Sequence, residues 1–147
     1  MIEPATWAAL VPELLVADIQ RSLKFWCDLC GFRVVFDRPE EGFAYLDRDG
    51  AQIMLDEIGR TRDWLTGPLD RPLGRGINLQ VRVTALEPIV AALARADWSL
   101  FEEPERKWYR TGEVETGVHQ FLVQDPDGYL VRFSAYLGER AIGQLSK

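Results

Sequence analysis

Few residues in this 147-residue chain have the type and spacing to do chemistry. Cys27 and Cys30 form a Cys-x-x-Cys, and His119 is the single histidine. A redox pair of the thioredoxin kind sits at a helix N-terminus, where the helix dipole lowers the thiol pKa. Here the pair falls at the end of an apolar pattern, Ser22, Leu23, Phe25, Trp26 and Leu29, just before Gly31, so it reads as the last turn of a helix. Zinc takes about four ligands, and two cysteines with one histidine fall short. Both cysteines are read as reduced packing residues and His119 as structural. No motif sets a serine or cysteine nucleophile beside that histidine, so no catalytic triad assembles. No metal and no cofactor is expected.

The remaining candidates are polar residues at alternate positions of apolar strands. Asn78, Gln80 and Arg82 alternate with Ile77, Leu79, Val81 and Val83. Gln120 and Arg132 alternate with Phe121, Val123, Val131 and Phe133, and Glu13 lies between Leu14 and Pro12. Buried amides and charges need hydrogen-bond partners, so Glu13, Gln52, Asn78, Gln80, Gln120 and Arg132 on one set of strand faces favour a partly polar cavity over a dry core. Glu13 and Arg132 could pair with each other or meet a ligand. Trp64, Trp108 and Tyr109 stand in polar, irregular segments, where large rings can stack on a flat ligand or cover a sheet end.

The elements that must position these residues follow from two turns. Asp125, Pro126, Asp127 and Gly128 spell a tight hairpin turn, with Pro126 presetting φ and Gly128 free to take a positive one. A bulge at Gly128 puts Phe121, Val123, Val131 and Phe133 on one face, leaving Gln120, Leu122, Gln124, Leu130, Arg132 and Ser134 on the other. Asp47 to Gly50 reads as the same turn, which places Phe43 and Tyr45 on a face with Ile53 and Leu55. Two copies of one device point to a duplicated module.

Each half orders as strand, helix, strand, strand, strand. The first module spans about 8–58: a strand over Leu10 to Ala17, a helix from the cap Asp18 to about Cys30, and strands at 32–37, 42–46 and 51–56. A linker covers 59–75, with one helical turn at Thr61 to Leu65. The second module spans about 76–137, with a Thr84/Glu87 capping box opening a helix to about Ala96. A strand over Trp98 to Phe101 follows, then a charged excursion from Glu102 to Gly117, then the closing hairpin. The tail, 138–147, reads as a short surface helix or frayed chain. The fold class is α+β: two tandem βαβββ modules forming a curved, partly closed sheet around a cleft, helices outside, in one domain over 1–147.

A formal net charge of −6 argues against nucleic acid, which needs clustered lysines and arginines, and is compatible with a cationic small ligand. The opening residues carry Glu3, Pro4, Pro12 and Glu13 rather than a basic segment and an apolar run, unlike a secretory leader. No apolar stretch approaches the roughly 20 residues of a membrane span. A soluble, cytoplasmic protein is expected, without membrane or nucleic-acid partners.

Leu14 to Ile19 leading into Ser22 to Phe32, together with Phe121 to Phe133, resembles the vicinal oxygen chelate superfamily, the glyoxalase, bleomycin resistance and dioxygenase fold. Within it the chain looks most like the bleomycin resistance proteins, and the resemblance covers nearly all of it. That implies a homodimer with ligand clefts at or near the subunit interface. Enzymes of the superfamily hold a divalent metal at three strand positions, which fall here on Val11, Asn78 and Arg132: an aliphatic, an amide and a permanent cation. The resemblance thus implies a metal-free protein of antibiotic resistance that sequesters a planar, cationic, bleomycin-type drug through Glu13, Trp64, Asn78, Gln80, Trp108, Tyr109, Gln120 and Arg132. The rival reading is an enzyme of the same fold, a glyoxalase, lyase, isomerase or dioxygenase, with an unusual metal set drawn from Glu13, Gln52 or His119, or with none.

Overall fold

The computed structural model describes residues 6–61 and 64–143. The chain divides into two compact units. The first runs to Arg75 and takes in Asp125–Tyr129; the second comprises Gly76–Gln124 and the chain from Leu130 on. Each carries its own four-stranded sheet.

In the first unit, β1 (Glu13–Val16) leads into α1 (Ile19–Leu23) and a π-helical turn (Lys24–Leu29). β2 (Arg33–Arg38), a 3-10 turn (Pro39–Glu41), β3 (Phe43–Arg48) and β4 (Ala51–Glu57) follow. The strand order is β1-β4-β3-β2, with β1 parallel to β4 and the others antiparallel. Asp18 caps α1 as its position predicts: its Oδ1 accepts from the N–H groups of Gln20 at 3.0 Å and Arg21 at 3.2 Å. The wider π turn buries Phe25 and Trp26, and the Trp26 ring meets Phe25 and Phe32 edge to face.

The β3–β4 hairpin departs from the expected register. Arg48 pairs with Ala51, so the loop holds only Asp49 and Gly50, both at positive φ (49° and 95°). That is the two-residue turn favoured by Asp-Gly, without the bulge of the longer one. One residue fewer flips the faces. Phe43 therefore opposes Asp56, Tyr45 opposes Met54 and Asp47 opposes Gln52, while Leu46 and Ala44 share the other face with Ile53 and Leu55.

The second unit holds β5 (Asn78–Arg82), α2 (Glu87–Arg95), β6 (Glu102–Thr111), β7 (Val114–Gln124) and β8 (Leu130–Ala141), in the order β5-β8-β7-β6. It is again a βαβββ arrangement. No strand forms over Trp98–Phe101; the charged excursion is itself the long β6–β7 hairpin, whose alternation the sequence hides because β6 is exposed along nearly its whole length. β8 likewise continues to Ala141 through residues read as a tail, pairing with β7. The capping box does not form: α2 begins at Glu87 behind Leu86, with no side-chain cap, because Pro88 already sets its first turn. The helical turn expected near Thr61 falls partly on 62–63, outside the described residues, and Trp64 and Leu65 are not helical.

The β7–β8 turn is as expected. Gly128 (φ 104°) donates its N–H to the Asp125 carbonyl at 3.0 Å, and Asp125 N–H reaches the Tyr129 carbonyl at 2.9 Å. Phe121 opposes Phe133 and Val123 opposes Val131, with Gln120, Leu122 and Gln124 against Ser134, Arg132 and Leu130 on the other face. The turn residues themselves are tied into the first unit. The Trp26 indole N–H donates to Asp125 Oδ2 at 3.3 Å, the Tyr129 hydroxyl to the Leu15 carbonyl at 2.9 Å, and Arg71 pairs with Asp127 at 2.7 Å. Among the described residues no helix is long and apolar enough to cross a membrane.

Candidate functional site

In the first unit the sheet face away from α1 carries Phe43, Tyr45 and Met54, packed with Val35, Phe36 and Val11. Residues 6–12 lie across part of it. Trp7 meets Tyr45 and Phe36 edge to face, with centroids 5.2 and 6.3 Å apart. Gln52 fastens this strap: its Nε2 donates to the Thr6 carbonyl (2.8 Å) and Asp47 (2.9 Å), and its Oε1 accepts from Ala8 N–H (2.9 Å) and the Tyr45 hydroxyl (2.6 Å). Each polar atom of Gln52 is thereby engaged, so it is a structural clamp rather than the cavity-lining amide the sequence led us to expect.

Beside the strap the same unit opens a cavity of about 350 Å³ lined by Glu13, Arg38, Glu41, Phe43, Asp56, Thr61 and Trp64. The register builds it. Asp56 pairs with Leu15 on one side and Phe43 on the other, Phe43 pairs with Arg38, and Glu13 lies one row along beside Met54. Asp56 is almost fully buried at 6% exposure, whereas the Trp64 ring is 71% exposed. The Arg38 guanidinium lies 4.0 Å over the Phe43 ring and is ion-paired to Glu41. Burial, then the Asp56 carboxylate, push the Glu13 carboxyl above its ordinary value, and Arg38 pulls it partly back. Among the described residues, three carboxylates thus share this wall with one guanidinium and two aromatic rings. Among the described residues the wall contains no histidine or cysteine, and Thr61 is its only hydroxyl.

Of the residues singled out from the sequence, Glu13 and Trp64 meet in this cavity. Arg38, Glu41, Phe43 and Asp56 were missed, Phe43 and Asp56 because the expected hairpin register turned Phe43 away. Reading Asp49-Gly50 as a two-residue turn would have set Phe43 and Asp56 on one face.

The other candidates lie on the second sheet. Asn78, Gln80 and Arg82 on β5, Arg132 and Ser134 on β8, Gln120 on β7 and Tyr109 on β6 share one face through their pairings. Gln120 is buried (4% exposed) and its Nε2 donates to the Tyr109 hydroxyl at 2.7 Å and to Glu105 at 3.4 Å. Trp108 is not part of that group. It alternates with Tyr109 onto the opposite face, over Gly117, where a Cβ would come within 2.7 Å of its ring, and the Arg140 guanidinium covers it at 4.3 Å. His119 lies on that opposite face too, across from Ala135 and Arg106. The Cys27 thiol is pushed up to about 11 by burial and then by Asp28, and burial raises the Cys30 thiol further, so neither is an activated thiolate.

The three positions at which the resemblance implies metal ligands do not fit an ion. Val11 has no donor atom, Asn78 offers an exposed neutral amide, and Arg132 brings a cation. Among the described residues no group of three or more His, Cys, Asp or Glu side chains comes together for a metal.

The model of the Glyoxalase/Bleomycin resistance protein/Dioxygenase superfamily matches residues 8–133. A solved member of that superfamily from Vibrio splendidus 12B01 is 38% identical over 86% of this chain and 97% of its own, with a TM-score of 0.39. TioX from Micromonospora sp. ML1 is 22% identical, covers 89% of this chain and 100% of its own, and has a TM-score of 0.66. A virulence protein from Salmonella typhimurium is 20% identical, with 90% and 100% covered and a TM-score of 0.64. No curated protein matches the chain. The match over residues 8–133, on a chain built of two βαβββ units, makes this protein a member of the glyoxalase/bleomycin resistance protein/dioxygenase superfamily.

Proposed function

We propose that this protein binds a planar, cationic small molecule of the bleomycin type without a metal, and protects by sequestration. The observation that carries the reading is the cavity in the first unit, where Glu13 and Asp56 supply counter-charge beside Phe43 and the exposed ring of Trp64. A cation over an aromatic face gains about 0.5–2 kcal/mol, more as water is excluded. The Arg38 guanidinium over Phe43 supports this reading, as an internal example of a flat cation on that ring, and the exposed Trp64 ring in the same wall is the one the ligand would meet. The carboxylates of Glu13 and Asp56 then add Coulombic attraction in a partly desolvated setting.

Calorimetric titration with metal-free bleomycin and with a simple planar amidinium tests this. Saturable binding is expected, weakened about tenfold or more by Asp56→Asn and by Trp64→Ala, a loss on the scale of one charge-assisted contact. Because Glu13 must be ionised to attract a cation, affinity falls as pH drops through its raised pKa. Absence of heat with every cationic probe, or stoichiometric metal in chelator-free protein, overturns the reading.

A further inference from the structure

The second sheet carries a site of opposite sign. Its open face holds a cavity of about 460 Å³ lined by Gln80, Arg82, Thr116, Val118, Ser134 and Tyr136. Two buried polar atoms on the same sheet face, Gln120 Oε1 and Arg132 Nε, have no hydrogen-bond partner among the described residues. Both lie, by register, beside residues that line it: Gln120 pairs with Ser134, and Arg132 with Gln80. The orientation of the Gln120 amide is fixed by its neighbours. Its Nε2 faces the Glu105 carboxylate and the Tyr109 hydroxyl, and the reversed amide would set an oxygen against that carboxylate. Oε1 is therefore left as an acceptor in need of a donor, and Arg132 Nε as a cationic donor in need of an acceptor.

Gln120 and Arg132 are diagonal neighbours on adjacent strands, about 7–8 Å apart in such a pair, the width of a small headgroup. Neither Arg132 nor Arg82 takes part in an ion pair among the described residues. The acceptor they lack is best supplied by a carboxylate, since charge-assisted bonds to a guanidinium are the stronger kind. Tyr136, 62% exposed, and Val118 give the cavity an apolar wall.

We propose that this face binds a small carboxylate with an N–H donor next to its acid group, the chemistry of an N-acylated amino acid with an apolar side chain. The carboxylate pairs with Arg132 and Arg82, the N–H donates to Gln120 Oε1, and the side chain lies against Val118 and Tyr136. The lining residues all belong to the second unit.

Three probes test it by NMR on the full chain: N-acetylphenylalanine, 3-phenylpropionate, which lacks the N–H, and N-acetylphenethylamine, which lacks the carboxylate. Only the first should shift the Gln120 side-chain amide saturably at low concentration, the others binding about tenfold more weakly or less. Arg132→Lys keeps the charge but removes Nε, and should weaken N-acetylphenylalanine by about tenfold while leaving the amidinium of the first cavity bound as before. No saturable shift with the wild-type protein up to the solubility of N-acetylphenylalanine overturns the proposal, as does equal affinity for all three probes. Failure here with intact amidinium binding sinks this site alone.

Discussion

Asp125 shows how one side chain couples sequence to stability. Its Oδ1 accepts from the N–H groups of Asp127 (3.0 Å) and Tyr129 (2.9 Å), and its Oδ2 from the Trp26 indole. At 3% exposure, burial outweighs these bonds and raises the carboxyl to about 6. An unfolded aspartate titrates near 4, so the native state holds its proton more tightly. Stability from this group is complete below about pH 4 and is lost as pH rises through about 6, a loss of roughly 2–3 kcal/mol. Asp125→Asn should flatten that part of the profile in urea unfolding between about pH 4 and 7. A variant profile parallel to that of the wild type would show that Asp125 does not titrate there.

At the level of elements, two hairpin turns with Asp and Gly do different work. Gly128 (φ 104°) abuts the first unit's own chain: a Cβ there would lie 2.8 Å from Pro72 Cα and 3.0 Å from Leu73 N. Gly50 (φ 95°) has nothing within 4 Å of that position. Gly50→Ala should therefore cost only left-handed strain, about 1 kcal/mol, and Gly128→Ala about 2 kcal/mol or more. Equal losses in thermal or urea unfolding would mean that Pro72 gives way without cost. The same pair of turns explains what was readable. Pro126 and Gly128 mark a turn with a bulge, and the β7–β8 register followed from them. Asp49-Gly50 closes in two residues instead, and that single step hid the pairing of Phe43 with Asp56 in the first cavity.

For the whole molecule, a net charge of −6 acts at long range on either ligand. The association rate of a cationic ligand should fall severalfold between low salt and about 0.15 M, where the screening length is about 8 Å. N-acetylphenylalanine, repelled by the same field, should not show that fall. Stopped-flow traces with the two probes check this, and a salt-independent rate for the cation would remove long-range steering from the account.

The sequence by itself determined the repeated βαβββ order, the Asp18 cap, the β7–β8 register and the sharing of one face by Asn78, Gln80, Gln120 and Arg132. These rest on local turn chemistry and on alternation with period two. Only the tertiary structure decided that Gln52 is spent on the Thr6–Ala8 strap, that Trp108 lies over Gly117 under Arg140, and that Asp56, Phe43 and Arg38 join Glu13. Those outcomes depend on which strands become neighbours and in what register, and alternation along one strand carries no record of the strand beside it.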